Sequence, residues 1–253
     1  MAHPRLNPNW RPEPFDRRMN LGSYAHHVLL GQADSGIAIV DPADYLSKQG
    51  AIPKGWTNDA IRQARDDAMG FGKLPVLKDE MPAVYAMVDA VREAMAQNDD
   101  LRGYGLDNGQ SEHVLHWHEG ETHFRARLDH ISQDRKVIYD YKTVSNAEPE
   151  DFLRHALSMG YDLQGAFYLL GNQRPDTKYV WIVQEIEPPY AVSFVGMAPA
   201  LIELGMRKVA RSINIWRECM ASGKWPGYSS RVLWADPPEW ALKREEEANG
   251  VYA

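Results

Sequence analysis

The sequence predicts an α/β (α+β) layer fold, with a mixed central sheet that includes a three-stranded antiparallel meander and is flanked by helices. Three observations carry this. In the front of the chain, apolar residues recur at helical spacing, as in Val84, Met87, Val88, Val91 and Met95. Across residues 112–144 the period drops to two, in three strand candidates joined by short turns. Beyond them a helical pattern, a strand pair and a second helical pattern follow, an order that suits helices layered on a sheet.

Residues 1–20, rich in Pro, Asn and Arg without periodicity, predict an extended N-terminal arm. Ser23 is placed to cap a short buried helix that stops at Gly31. Residues 31–55 alternate turn signals with short apolar pieces. Thr57-Asn58-Asp59 opens a helix reaching about Met69, and another runs from Met81 to about Gln97. The meander comprises E-H-V-L-H-W-H-E, T-H-F-R-A-R-L-D-H-I and K-V-I-Y-D-Y-K-T-V, turning at Gly120-Glu121 and at Ser132 to Arg135. Pro149-Glu150-Asp151 opens a helix to about Leu170. The pair K-Y-V-W-I-V-Q-E-I-E-P and Y-A-V-S-F-V-G-M gives two more strands, and a long amphipathic helix runs from Pro199 to about Ala221. The expected organisation is the arm, one domain over 21–240, and a charged C-terminal tail over 241–253.

At 253 residues, with 44% apolar and 25% charged content, the chain can bury a proper core as a soluble globular protein. No apolar run approaches the roughly 20 residues that cross a bilayer, and no apolar signal core opens the sequence, so a cytoplasmic protein without a membrane partner is expected. The single cysteine, Cys219, excludes an internal disulfide and a Cys-ligated zinc or iron–sulfur site within one chain. A net charge of −7 weighs against generic nucleic-acid affinity, which comes from cations neutralising phosphates. Local cations can still line an acidic, metal-filled site. Arg125, Arg127, Lys136 and Lys142 would do so, and Arg207, Lys208, Arg211 and Arg217 suggest a second basic stripe.

Strand alternation points Asp140 and Lys142 the same way, and Arg125, Arg127 and Asp129 share a face of the preceding strand. The intervening turn brings Asp129 within reach of Asp140. Two carboxylates and a lysine converging there suit a Mg²⁺-dependent phosphodiester hydrolase, since Mg²⁺ takes oxygen ligands, water and substrate phosphate. Lys142 would orient or deprotonate the water or offset charge at phosphorus. A D-x-K triplet alone says nothing, because others begin at Asp134 and Asp176. Only the one at Asp140 ends a β-rich run with a second carboxylate one hairpin upstream, and against it stands an ordinary surface ion pair. Gln164 and Tyr168 share a helical face, able to bind a phosphate or metal-bound water, or simply to pack. Of His26 and His27, adjacent on a helix, only one can face a site. His113, His116, His118, His123 and His130 invite a zinc hydrolase reading, but without H-E-x-x-H or a thiolate they give no definite ligand set.

In the order G-S-Y-A-H-H-V-L-L (22–30), R-A-R-L-D (125–129), V-I-Y-D-Y-K-T (137–143) and Q-G-A-F-Y (164–168), the chain resembles the PD-(D/E)xK nuclease superfamily. Within it the likeness is to the RecB-like and RecE-like (exonuclease VIII-type) phage exonucleases. The later W-P-G-Y and P-P-E-W pieces look like that group's C-terminal tail, so the resemblance spans about 20–240. It implies a restriction-endonuclease-like core and a single nuclease domain over 21–240. It further implies a metal set of His26, Asp129 and Asp140 working with Lys142; the alignment prefers His26 and leaves His27 open. Gln164 and Tyr168 match an additional helix motif, with Arg125 and Arg127 as phosphate contacts. Glu112 matches an acidic position in some relatives and is not taken as catalytic. The implied activity is Mg²⁺-dependent DNA exonuclease action, with Mn²⁺ substituting, on linear double-stranded DNA from 5′ to 3′ in phage-type recombination. A single-strand annealing protein and a homo-oligomeric ring would be its partners. The rivals are a structure-specific endonuclease on the same fold and a non-catalytic DNA-binding protein that retains it.

Overall fold

The computed structural model describes residues 17–31, 36–228 and 231–250. The chain divides into two compact units, Met1–Ser212 and Ile213–Ala253. Most of the expected extended arm lies outside the described residues. Its last four positions are already helical, so the first helix α1 is Arg17–Leu29 and Ser23 lies inside it rather than at its cap.

In the first unit β1 (Ile37–Val40) pairs in parallel with β2 (Leu74–Leu77) as a small separate sheet. Between them α2 (Asp59–Gly70) starts where the Asn58 side chain accepts the Ile61 N–H at 2.9 Å, satisfying one of the free amides of the first turn. Helix α3 (Met81–Gln97) buries the apolar stripe that its spacing predicted. The main sheet follows, with β3 (Gly109–Glu119), β4 (Thr122–Ser132) and β5 (Val137–Val144) as the expected antiparallel meander. β6 (Lys178–Glu185) adds to β5 in parallel and β7 (Val192–Gly196) adds antiparallel, giving the order β3-β4-β5-β6-β7. A parallel step needs a crossover, supplied here by α4 (Pro149–Met159) and α5 (Tyr161–Asn172). The sequence suggested one helix there. Gly160, at φ 74, closes α4 with its N–H on the Ala156 carbonyl and starts α5 in a new direction.

Two cores sandwich the sheet. Leu128, Ile138, Tyr179, Trp181 and Val183 pack with Phe152, Ala156 and Leu169 of α4 and α5. Val137, Tyr139, Tyr141, Val180 and Ile182 pack with Ala25 and Leu29 of α1 and with α3. Each such large side chain contributes roughly 1.5–3 kcal/mol by leaving water. Gln184, fully buried, is satisfied on both sides: the Tyr141 hydroxyl donates to its Oε1 at 2.5 Å and its Nε2 donates to the Met87 carbonyl at 2.9 Å.

The β4–β5 turn is pinned. Ser132 Oγ, in a buried side chain, accepts the N–H groups of Lys136 (3.1 Å) and Val137 (3.0 Å), and Arg135 takes a left-handed φ of 59. The Arg135 carbonyl accepts from Asn172 Nδ2 (3.2 Å) and Thr177 Oγ1 (3.0 Å).

Helix α6 (Pro199–Ser222) spans the sequence boundary between the units. The basic stripe expected on it is partly spent inside the first unit: Lys208 Nζ sits 2.6 Å from the buried Asp162 carboxylate, and Arg207 pairs with Glu203 at 2.5 Å. In the second unit the Trp216 and Trp225 rings meet at 5.2 Å, and α7 (Glu239–Gly250) makes most of the expected charged tail helical. Among the described residues no helix is long and apolar enough to cross a membrane.

Candidate functional site

The site begins where the β4–β5 ladder stops. Its backbone pairs are Ile131 with Ile138 and His130 with Tyr139. The next step would set Asp129 opposite Asp140. There the Asp129 side chain replaces a backbone carbonyl, its Oδ2 accepting the Tyr141 N–H at 2.9 Å. A carboxylate and the backbone of the facing strand are thereby locked together at a fork in the sheet.

Three elements converge on it. Helix α1 comes close enough to β5 that a β-carbon at Gly22 would run into the Thr143 side chain. Four residues on, and so on the same helical face, His26 puts Nε2 3.3 Å from Asp129 Oδ1 and 3.8 Å from Glu112 Oε1. His26, Glu112 and Asp129 each offer one ligand atom, all within 4.8 Å of one another. On β5, Lys142 Nζ lies 2.5 Å from Asp140 Oδ2 and 4.9 Å from the centre of the Tyr161 ring. His26, Glu112, Arg127, Lys142, Thr143 and Tyr161 help line a groove of about 440 Å³ that opens at this point.

Burial and crowding set the protonation states. Burial, then the charge of Asp129, push Asp140 up to about 6, only partly offset by Lys142. Burial also raises Asp129, but the His26 hydrogen bond and charge, Lys142 and the Tyr141 amide outweigh it and hold its carboxyl below the usual range. His26 moves up: burial opposes its charge, yet Asp129, Glu112 and Asp140 together win. Lys142 is likewise raised against its burial by Asp140 and Asp129, so it is a firm cation. The Tyr179 hydroxyl, held well above its ordinary range first by burial and then by Asp140, lies against the buried Asp140 carboxylate. An imidazole nitrogen and carboxylate oxygens so close, beside a second, fully buried carboxylate, are a donor set that fits a divalent cation.

His26 therefore faces the acidic group. The neighbouring His27, lowered by burial and then by His26, has a buried and unpartnered Nδ1. Gln164 Nε2 donates to the Tyr168 hydroxyl at 2.9 Å. Tyr168 is raised by burial first, with Asp140 and Asp129 adding to it, which places it in their field. Arg125 is exposed on the outer face of β4, and Arg127 Nε holds Glu112 Oε2 at 2.9 Å. The five histidines of the zinc hydrolase reading do not gather. His130 is buried with Nδ1 3.1 Å from Ser111 Oγ and is pushed down to about 4 by burial, while His116, His118 and His123 are exposed.

Glu112, which the sequence reading set aside, completes the three-donor group. Counting the register out from Gly120-Glu121 would have found it, since Glu119 pairs with Thr122 and His113 with Leu128, leaving Glu112 opposite Asp129. Its φ of 53 coincides with the one position where the β3–β4 pairing skips a residue. Glu112→Gln keeps the shape and removes a charged ligand, so divalent-ion affinity is expected to fall at least about tenfold. Calorimetric titration of the variant with Mn²⁺ checks this; unchanged affinity would leave Glu112 as a partner of Arg127 only.

Over residues 2–234 the sequence matches the family described as a PDDEXK-like domain of unknown function (DUF3799). No curated protein matches the chain. The fold is similar to a crystal structure from Eubacterium rectale described as a "Putative exonuclease", with TM-score 0.53 and 14% identity over 94% of this chain and 83% of that one. A second structure, that of SSO0001, aligns with TM-score 0.27 and 13% identity over 82% of this chain and 97% of its own, too weakly to carry an argument. The sheet order, the flanking helices and the first two matches agree on a restriction-endonuclease-like fold.

Proposed function

The chain belongs to the family of PDDEXK-like domains, and on that footing we propose that it is a divalent-metal-dependent nuclease, specifically a DNA exonuclease acting on linear duplex ends. One observation carries this reading: the buried Asp140–Lys142 pair stands one ladder step from the His26, Glu112 and Asp129 group, and both meet an open groove. Few ordinary surface ion pairs have their carboxylate fully buried, as that of Asp140 is.

His26, Glu112 and Asp129 would hold the cation, with Asp140 behind them. Mg²⁺, for which Mn²⁺ would substitute, supplies charge stabilisation at phosphorus and a more acidic bound water. Lys142, kept protonated by its two carboxylate neighbours, acts as a donor and counter-charge to the attacked phosphate rather than as a base. Tyr161 confines the ammonium. Gln164 and Tyr168 contact the phosphate flank, and Arg125 and Arg127 bind backbone phosphates without regard to base sequence.

The finer terms are 5′ to 3′ polarity, a role in phage-type recombination, a single-strand annealing partner and a ring-shaped oligomer. They rest on the motif resemblance alone. The decisive assay digests linear duplexes labelled at either end beside covalently closed circles, with and without Mg²⁺. Mg²⁺-dependent loss of linear DNA with the circles intact is expected. Cleavage of the circles would replace the exonuclease with an endonuclease, and no digestion of any DNA with Mg²⁺ or Mn²⁺ would overturn the nuclease.

A further inference from the structure

We propose that the outer face of the β3–β4 hairpin is a track for the phosphates of duplex DNA, on which His116, His118 and His123 continue the line begun by Arg127 and Arg125. The inference deepens the nuclease reading and rests on it for the choice of DNA as occupant. Alternation sends Leu115, Trp117, Ala126 and Leu128 into the core, where Phe167 of α5 meets the Trp117 ring at 4.8 Å. The opposite face is left exposed as three cross-strand pairs: Val114 with Arg127, His116 with Arg125, and His118 with His123. Five of those six side chains are basic and none is acidic, in a chain whose net charge is −7. Of the nearby carboxylates, Glu119 alternates to the inner side and Glu121 sits in the turn between the strands.

A sheet face arranged for stability alone would set a carboxylate across from Arg125, since opposite charges on facing strands attract. His116 stands there instead, and its ring lies 6.0 Å from that of His123. Guanidinium and imidazole groups share one capacity, N–H donation to anionic oxygen, and even a neutral imidazole keeps one such donor. The track starts at the candidate site, where Arg127 lines the groove and holds Glu112. With about 3.3 Å of rise per residue it runs roughly 20 Å from Glu112 to His118. Phosphates follow one another about every 3.4 Å along one strand of B-DNA, so the track spans about six of them. It carries no Phe, Tyr or Trp, the side chains on which single strands stack their bases, so its occupant is the uncut duplex rather than a released strand. Contacts of this kind hold DNA in place without reading its sequence.

The test measures, by fluorescence anisotropy, binding of the full chain to a labelled blunt duplex longer than the track, in chelator so that nothing is cut. His116→Thr/His118→Thr/His123→Thr removes the three rings and keeps a residue suited to an exposed strand; melting curves matched to wild type establish that the hairpin is intact. Its dissociation constant is expected to rise at least about tenfold, through the loss of three hydrogen bonds to phosphate, with a smaller rise for a single strand of the same length. Arg125→Thr, a second variant, should weaken duplex binding and lower the slope of log affinity against log salt by about 0.9, the share of one phosphate. Wild-type affinity in the triple variant, an equal loss on single strands, an unchanged slope in Arg125→Thr, or no duplex binding by the wild-type chain overturns the proposal. The nuclease reading is decided by Mg²⁺-dependent digestion with the wild-type chain, so the two fail on different measurements.

Discussion

Asp140→Asn is expected to abolish Mg²⁺-dependent digestion and, in the same protein without metal, to raise the melting temperature. The two effects share one cause. In the folded chain burial and Asp129 lift Asp140 from 3.8 to about 6, so the native state holds this proton where the unfolded chain has released it. Stability from this group is therefore gained as pH falls from about 6 towards 4, and lost above 6, where a buried carboxylate must stay charged. At neutral pH the burden is on the order of 3 kcal/mol, at 1.36 kcal/mol per unit of pKa. Asn removes it, while Lys142 keeps Asp129 as counter-charge. The gain corresponds to several degrees for a chain of this size. Activity should fall at least about 10²–10³-fold, the cost of losing one preorganised electrostatic partner. Thermal melts in chelator with matched digestion assays decide it: a variant that is active, or that melts below wild type at pH 7, would show that Asp140 is an ordinary structural ion-pair partner.

Lys142→Met acts in the opposite sense on stability. It strands Asp140 and Asp129 without their ammonium, and breaking a buried pair from one side costs about 3–5 kcal/mol. Digestion should vanish here too. The Asp140→Asn/Lys142→Met double variant should recover most of the lost stability and none of the activity, because no isolated charge remains at Asp140. Divalent metal should stabilise Lys142→Met more than wild type, since it supplies the missing positive charge. A Lys142→Met protein as stable as wild type would mean that the pair is solvated and not the centre of the site.

Much of this was legible in the chain, and the exceptions have physical causes. The meander showed itself because Leu115, Trp117, Ala126 and Leu128 alternate with polar residues, and period two is unambiguous when one face is wet. β1 and β2 passed unseen because four residues hold too few alternations to count. The break at Gly160 carried a helix-ending glycine, but the apolar spacing ran on past it into Leu163 and hid the turn. In the candidate site, the structure brings together the side chains of Asp140, Lys142, Asp129 and His26, which the motif order and the hairpin had singled out. Glu112 was missed because it becomes a neighbour of Asp129 only through strand register. The Asp162–Lys208 pair was invisible for a related reason: a lysine on an amphipathic helix looks solvent-facing until its partner, 46 residues away, is placed.

The tight reversal held by Ser132 Oγ and by the Asn172 and Thr177 side chains has consequences for inheritance. A segment that joins two strands is usually where insertions and deletions are forgiven, yet one added or deleted residue here would turn Asp140 and Lys142 to the opposite side of the sheet. Any lineage that keeps the chemistry must keep that short stretch at constant length. A lesion in a hydroxyl or amide that never meets substrate would then present as a dead catalyst in a chain that still folds.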